Sequence, residues 1–145
     1  MSESDLSFQV CRTAEEMKSA EDGFRIVLEG LGRNIFSKIS NVELGKEVQV
    51  FIRNRKNKVV GGAVGHIFGG WIYISLIWIE ESLRSKGHGT RLLKIIETEA
   101  VKLGCKHAHV DTCSFEASPF YMKNGYTLFA TLENYPEGHS KHFLK

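Results

Sequence analysis

The sequence predicts a mixed α/β domain: one central mixed β-sheet of about seven strands with helices on both faces. Three observations carry this expectation. Stretches that alternate apolar and polar residues are interspersed with stretches of helical apolar spacing, in the order β, α, α, β, β, β, α, β, α, β, β. One strand, Trp71 to Ile79, is apolar on both faces, as a strand in the middle of a sheet should be. A meander in the first half gives way to a strand–helix–strand crossover in the second, which combines antiparallel and parallel pairing. The 145 residues, 42% hydrophobic and 25% charged, suffice for a single packed domain over 1–145 without staples.

Leu6, Phe8 and Val10 alternate with polar residues and read as a first strand. Thr13 and Glu16 have capping-box spacing, so a helix follows over roughly 14–22. Gly23 is expected to interrupt it before a second helix over roughly 24–38, weakened by Gly30 and Gly32. Val48, Val50 and Ile52 alternate, and the polar run 54–58 is a turn into a strand from Val59 to Phe68. Gly69-Gly70 is a two-residue hairpin signal leading into Trp71–Ile79. Leu92, Leu93, Ile96, Ala100 and Leu103 then fall at helical spacing, with Gly104 where a helix-ending glycine belongs. His107 to Cys113 is a strand, and Ser118-Pro119 opens a short helix that runs to Lys123 and stops at Gly125. Tyr126 to Leu132 and Lys141 to Lys145 are the last strands, joined by a turn over Asn134–His139.

Composition excludes several classes. Nineteen basic against 17 acidic residues leave a net charge of only +2, too even for a dedicated nucleic-acid binder. The basic run Arg53, Arg55, Lys56 and Lys58 reads as a solvated turn. Cys11, Cys105 and Cys113 form no CxxC pair, so neither a disulfide scaffold nor a zinc ribbon is expected, and free thiols suit a reducing compartment. The N-terminus lacks signal-peptide character, and the longest apolar stretch falls short of the roughly 20 residues that span a bilayer. The expectation is a cytoplasmic protein with no membrane or nucleic-acid partner.

The segment Arg84-Ser85-Lys86-Gly87-His88-Gly89-Thr90 lies between a strand and an amphipathic helix. That is an anion site in physical terms. The helix start has unpaired amides and a favourable dipole, glycines permit close backbone approach, and Arg84 and Lys86 add positive charge. Neither GxGxxG nor GxxxxGK[ST] is present. The R-x-x-G-x-G arrangement resembles the pyrophosphate loop of the GNAT superfamily of N-acetyltransferases. Downstream, Ala117 to Tyr126 is similar to that superfamily's A-x-x-x-Y-x-x-x-G-[FY] segment. The resemblance covers essentially the whole chain and is concentrated over 71–126.

The resemblance implies an acetyl-CoA-dependent N-acetyltransferase of GNAT-like fold, transferring to a primary amine by direct attack in a ternary complex. The cofactor would lie where two parallel strands part, here Trp71–Ile79 and His107–Cys113. Its pantetheine arm would pair with the backbone of Ile77, Trp78 and Ile79 as an added strand does. Its pyrophosphate would sit on the amides of Arg84, Ser85, Lys86, Gly87, His88, Gly89 and Thr90. Tyr121 matches the tyrosine that protonates the departing thiolate, and Ser114 stands where the family often carries an asparagine toward the cofactor. The acceptor pocket would draw on the N-terminal helices, including Asn34, and on the last hairpin, including His139. Dimerisation through the final strands is implied by the same analogy.

The residues themselves leave the base open. An alkylamine with a pKa near ~10 must lose a proton before it attacks. Asp111 is central on a buried strand, where a carboxylate must be paired or functional. Glu80 ends the cofactor strand, and Tyr73 and Ser75 share one strand face from which water could relay a proton. Trp71, Tyr73 and Trp78 could cage an amine or simply form core. His107, His109 and Asp111 do not complete a metal set, so no metal is expected; His139 and His142 lie three apart in the last hairpin. Cys113 reads as a small hydrophobe. A catalytically weak CoA-binding regulatory module is the alternative.

Overall fold

The computed structural model describes residues 6–39 and 45–145, whose contacts fall into an N-terminal unit and a larger unit beginning in the forties. In the N-terminal unit, α1 spans Ala14–Ser19 and α2 spans Glu21–Lys38. The capping box forms as its spacing predicts: the Glu16 amide donates to the Thr13 hydroxyl at 3.2 Å, and the Thr13 amide donates to the Glu16 carboxylate at 3.0 Å. Amides of Arg12 and Thr13 hold the Glu16 carboxyl below its usual range. The break falls at Ala20 rather than at Gly23. Gly23 sits inside the first turns of α2, where it costs about 1 kcal/mol relative to alanine and is tolerated.

The larger unit holds β1 (Lys46–Arg53), β2 (Val59–Phe68), β3 (Trp71–Ile79), α3 (His88–Lys102), β4 (His107–Cys113), α4 (Ser118–Lys123), β5 (Leu128–Glu133) and β6 (Ser140–Leu144). One 3-10 turn, Glu81–Leu83, precedes α3. The strands form a six-stranded sheet in the order β1-β2-β3-β4-β6-β5, parallel only between β3 and β4. The expected seventh strand at Leu6–Val10 does not form. Those residues join no ladder of the sheet, and Phe8 is 94% exposed. Alternation makes a strand only when an edge is available to take its hydrogen bonds.

The Gly69-Gly70 turn has φ of +58° and +80°, the two positive values a two-residue hairpin of this hand requires. Helix α3 ends at Gly104 (φ +89°) and α4 at Gly125 (φ +91°), as their positions predict. Along α3, Leu92, Leu93, Ile96 and Ala100 are buried and pack on β1, β2 and β3. The core they enter includes Ile72, Ile74, Val110, Tyr121, Tyr126 and Leu144.

Strand β3 carries an irregularity that sets up the site. Val64 pairs with Leu76 while Gly65 pairs with Ile74, so Ser75 is an extra residue, its hydroxyl donating to the Val64 carbonyl at 3.3 Å. The extra residue reverses the alternation. Ile72 and Ile74 face α3 before it, and Ile77 and Ile79 pack on the same core after it. Leu76 and Trp78 turn outward, 64% and 53% exposed.

The glycines of β2 allow this packing. A Cβ on Gly65 would stand 2.6 Å from Ile72 Cδ1 and 3.3 Å from Ile96 Cδ1. We expect Gly65→Ala to lower stability by about 1–3 kcal/mol, the usual cost of overpacking. Adding Ile72→Val, which removes that Cδ1, should make the pair cost less than the sum of the two changes, read from urea midpoints. Strict additivity would contradict this packing.

Candidate active site

Four residue pairs join β3 to β4, from Trp71 with His107 to Ile74 with Val110, and the ladder then stops. Past that point β3 pairs only with β2 and β4 only with β6. Glu80 turns its amide to β2, and by alternation so does Trp78, so the backbone groups of Ile77 and Ile79 face the side from which β4 has departed, which suits an extended amide-bearing ligand.

The loop after β3 leads into α3. Gly87 caps that helix at φ +80°, and Ser85 adopts φ +59°, a left-handed conformation a non-glycine residue takes at a cost of about 1–2 kcal/mol. Left-handed residues near a helix start turn backbone amides toward a common concavity, an anion-binding arrangement. Gly89 has a different reason to be glycine: its Cβ would meet the Phe120 ring at 3.1 Å. It admits α4 against the first turn of α3. Arg84 donates from Nε to the Ile79 carbonyl at 3.0 Å, and Lys86 donates to the Ser82 carbonyl at 2.8 Å. Both cations thus brace the loop. A surface groove along α3 is lined by Gly87, Thr90, Arg91 and Lys94 among others.

Tyr121, on α4, is 6% exposed and lies edge-on to Phe120 at 5.1 Å and to Tyr126 at 5.7 Å. Burial, and then the negative charges of Glu116 and Asp111, push its pKa up to about 12. It keeps its proton throughout the physiological range.

Across the point where the strands part, the Tyr73 hydroxyl donates to Asp111 Oδ2 at 2.6 Å, and Lys141 Nζ pairs with Asp111 Oδ1 at 2.9 Å. Burial and then this hydrogen bond to Asp111 raise the Tyr73 pKa to about 12. The hydrogen bond to Asp111 raises that of Lys141, whose ammonium also lies 4.8 Å from the Tyr135 ring centroid. The Tyr73 ring stacks on His109 at 4.9 Å, and Trp71 stacks on His107 at 4.5 Å. Burial pulls the His109 pKa down.

The structure brings together Tyr73, Ser75, Ile77, Trp78, Ile79, Asp111 and the 84–90 loop along β3 and its neighbour, with Trp71 at the far end of β3 from the parting. Glu80 follows the strand, its amide donating to the Val60 carbonyl at 2.9 Å. Ser114 is engaged with the last hairpin, its hydroxyl accepting from the Ser140 amide at 3.1 Å. His139 sits in that hairpin's turn, edge-on to Phe115 at 4.9 Å. Asn34 belongs to α2 of the N-terminal unit, where its carbonyl accepts from the Ser37 hydroxyl. Sequence reasoning gives no role to Lys141, Ser118, Arg91 or Lys94. The partners of the first two lie far away in sequence, and only the basic character of α3's opening turns could have marked the others. Among the described residues no group of three or more His, Cys, Asp and Glu could hold a metal, and no helix is long and apolar enough to cross a membrane.

Stability should depend on pH at the alkaline end. Tyr73 and Tyr121 ionise near 12 when folded and near 10 when unfolded, so between those values the native state holds more protons. Their contribution is fully present below about pH 10 and is lost as pH rises toward 12. Urea midpoints should fall over that window, less steeply in Tyr121→Phe; equal slopes in the two proteins would contradict the burial of Tyr121.

Comparison with known proteins agrees with this geometry. The sequence profile of the acetyltransferase (GNAT) family matches residues 16–126. An acetyltransferase of Agrobacterium fabrum, Atu2258, is 36% identical over 100 residues, covering 69% of this chain and 73% of that protein. Blasticidin-S acetyltransferase of Streptomyces morookaense is 36% identical over 90 residues, 61% of this chain and 66% of that one. The crystal structure of an acetyltransferase from Bacillus cereus superposes with a TM-score of 0.79 at 31% identity, over 95% of both chains. The strands that part, the glycine-opened helix and the buried tyrosine are thus those of a chain that belongs to the GNAT acetyltransferase family and transfers an acetyl group from acetyl-CoA to an amine.

Proposed function

We propose that the protein acetylates a primary amine of a small molecule by direct attack in a ternary complex, with Tyr121 as general acid. The observation that carries this reading is the parting of β3 and β4 beside a buried tyrosine that keeps its proton to about 12. The backbone of Ile77, Trp78 and Ile79 would align the pantetheine arm, and the amides from Arg84 to Thr90 would take the pyrophosphate, with Arg91 and Lys94 adding positive charge on the same helix. Acetyl-CoA supplies an activated acyl carbon and a thiol leaving group. The amine nitrogen bonds that carbon as the carbon–sulfur bond breaks, Tyr121 gives its proton to the sulfur, and solvent restores it.

Asp111 is read as a positioning group. Its two oxygens are taken by Lys141 and Tyr73, so it fixes the Tyr73 hydroxyl beside the parted strands rather than collecting a proton. Glu80, at the end of the same strand, is the proposed acceptor of the amine proton through water. The preference for a small acceptor is supported by the similarity to blasticidin-S acetyltransferase. A homodimer and a cytoplasmic setting belong to the same reading.

The test is thiol release from acetyl-CoA with blasticidin S, an aminoglycoside, spermidine and a lysine peptide as acceptors. At least one small amine should be consumed, and Tyr121→Phe should lower kcat by about 10²–10⁴-fold, the usual worth of a general acid, with CoA affinity kept. Binding of acetyl-CoA without turnover of any amine would overturn the small-amine assignment, and full turnover by Tyr121→Phe would remove the acid.

A further inference from the structure

We propose that His142 is a positioning residue for acetyl transfer, holding α4, and with it Tyr121, through a hydrogen bond to Ser118. This rests on the reading of Tyr121 as the acid. His142 lies on β6 directly opposite Thr112 of β4, on the face of the sheet toward the core, whereas Asp111 lies on the other face. Both of its ring nitrogens are bonded: Nδ1 to the Ser118 hydroxyl at 2.6 Å and Nε2 to the Ser140 hydroxyl at 3.2 Å. A neutral imidazole donates at one nitrogen and accepts at the other, and hydroxyls rotate to serve either role.

Ser118 is the first residue of α4 and is 5% exposed; Tyr121 follows it by three residues, about one turn. Helix α4 has only six residues. A helix that short has no stability of its own, so its direction comes from what holds it. Phe120 against Gly89 braces one side. At its start, the Ala117 amide donates to the Thr112 hydroxyl at 3.3 Å, and the shorter Ser118–His142 bond lies beside it.

The connection leading into α4 is tied at its other end to the same strand. The Ser114 amide donates to the Ser140 carbonyl at 2.7 Å, and the Ser140 amide donates back to the Ser114 hydroxyl at 3.1 Å. Ser140 and His142, two residues apart on β6, therefore hold both ends of the segment between β4 and α4. A segment fixed at two points on an inner strand leaves the helix one direction of departure. Without His142, the buried Ser118 hydroxyl loses its partner, a state that protein interiors avoid, and α4 is left to Phe120 and the Thr112 bond. A misplacement of a reacting group by about 1 Å can cost about 10²-fold in rate, so Tyr121 depends on what holds α4.

The variants separate a positioning role from simple stabilisation. An asparagine amide can overlay Nδ1 and keep the Ser118 bond, whereas a glutamine amide overlays Nε2 and reaches Ser140 instead. With acetyl-CoA and whichever amine of the panel gives the greatest thiol release, His142→Ala and Ser118→Ala should each lower kcat by about tenfold or more. CoA affinity by calorimetry should stay within about twofold, and the double variant should be no worse than either single one. His142→Asn should recover most of the loss and His142→Gln should not. In a Tyr121→Phe background, His142→Ala should cost nothing further. Exchange of the Tyr121 amide, bonded to the Ala117 carbonyl, should accelerate in His142→Ala while the α3 amides keep their protection.

An unchanged kcat in both His142→Ala and Ser118→Ala overturns the proposal, as does a loss that persists at full size without the Tyr121 hydroxyl. If Tyr121→Phe is itself fully active, the acid reading is what fails, and if no amine is turned over, the small-amine assignment fails. Amide exchange then decides the tether alone, and an unaltered Tyr121 amide overturns it.

Discussion

The arrangement of this molecule depends on the place where β3 lets go of β4. Two parallel strands with apolar faces would ordinarily stay paired, because each buried amide or carbonyl left without a partner costs free energy. Here the ladder ends after Ile74 and Val110, and the two neighbours take over. Strand β2 holds β3 up to Ile79, and β6 holds β4 up to Cys113. The sheet stays continuous at its margins while its middle opens. The extra residue at Ser75 makes this compatible with a single core, since it returns Ile77 and Ile79 to the side where Ile72 and Ile74 already pack.

Other features follow from that opening. The helix after the loop must begin beside it, which places the left-handed Gly87 and the amides of α3 at its edge. Helix α4 must come close enough to bring Tyr121 to the same region, and Gly89 gives up a side chain so that Phe120 can pass. The two faces of the sheet then carry different chemistry. Tyr121 sits in the apolar core, where burial keeps it protonated. On the other face Tyr73, Asp111 and Lys141 form a chain of short polar contacts, stacked against His109.

Much of this was legible in the order of residues, because local chemistry decided it. Thr13 and Glu16 are three apart and form their box; Gly69-Gly70 permits two positive φ values and turns its hairpin; Gly104 and Gly125 stop their helices. The glycines and cations of the loop before α3 mark an anion site from the residues alone, whereas Tyr121 was named through the resemblance of Ala117–Tyr126 to the segment of the GNAT family. Leu6, Phe8 and Val10 show where such reading stops. Their alternation is genuine, but a strand is a property of a pair, and the six-stranded sheet does not take them in.

What the tertiary structure decided is everything that depends on two distant segments meeting. Residues 76 to 79 are apolar one after another, so no pattern could show that the alternation reverses at Ser75 or that β4 departs there. Along the chain Asp111 is only a carboxylate that must be paired or functional; its two partners, Lys141 and Tyr73, come from other strands. Ser118 and His142, separated by 24 positions, become partners only because β6 inserts between β4 and β5. Sequence by itself determined the elements and the loop, since those follow from neighbours along the chain. The protonation of Tyr121, the pairing of Asp111 and the tether on α4 were settled by folding, since burial and long-range contact exist only once the sheet is assembled.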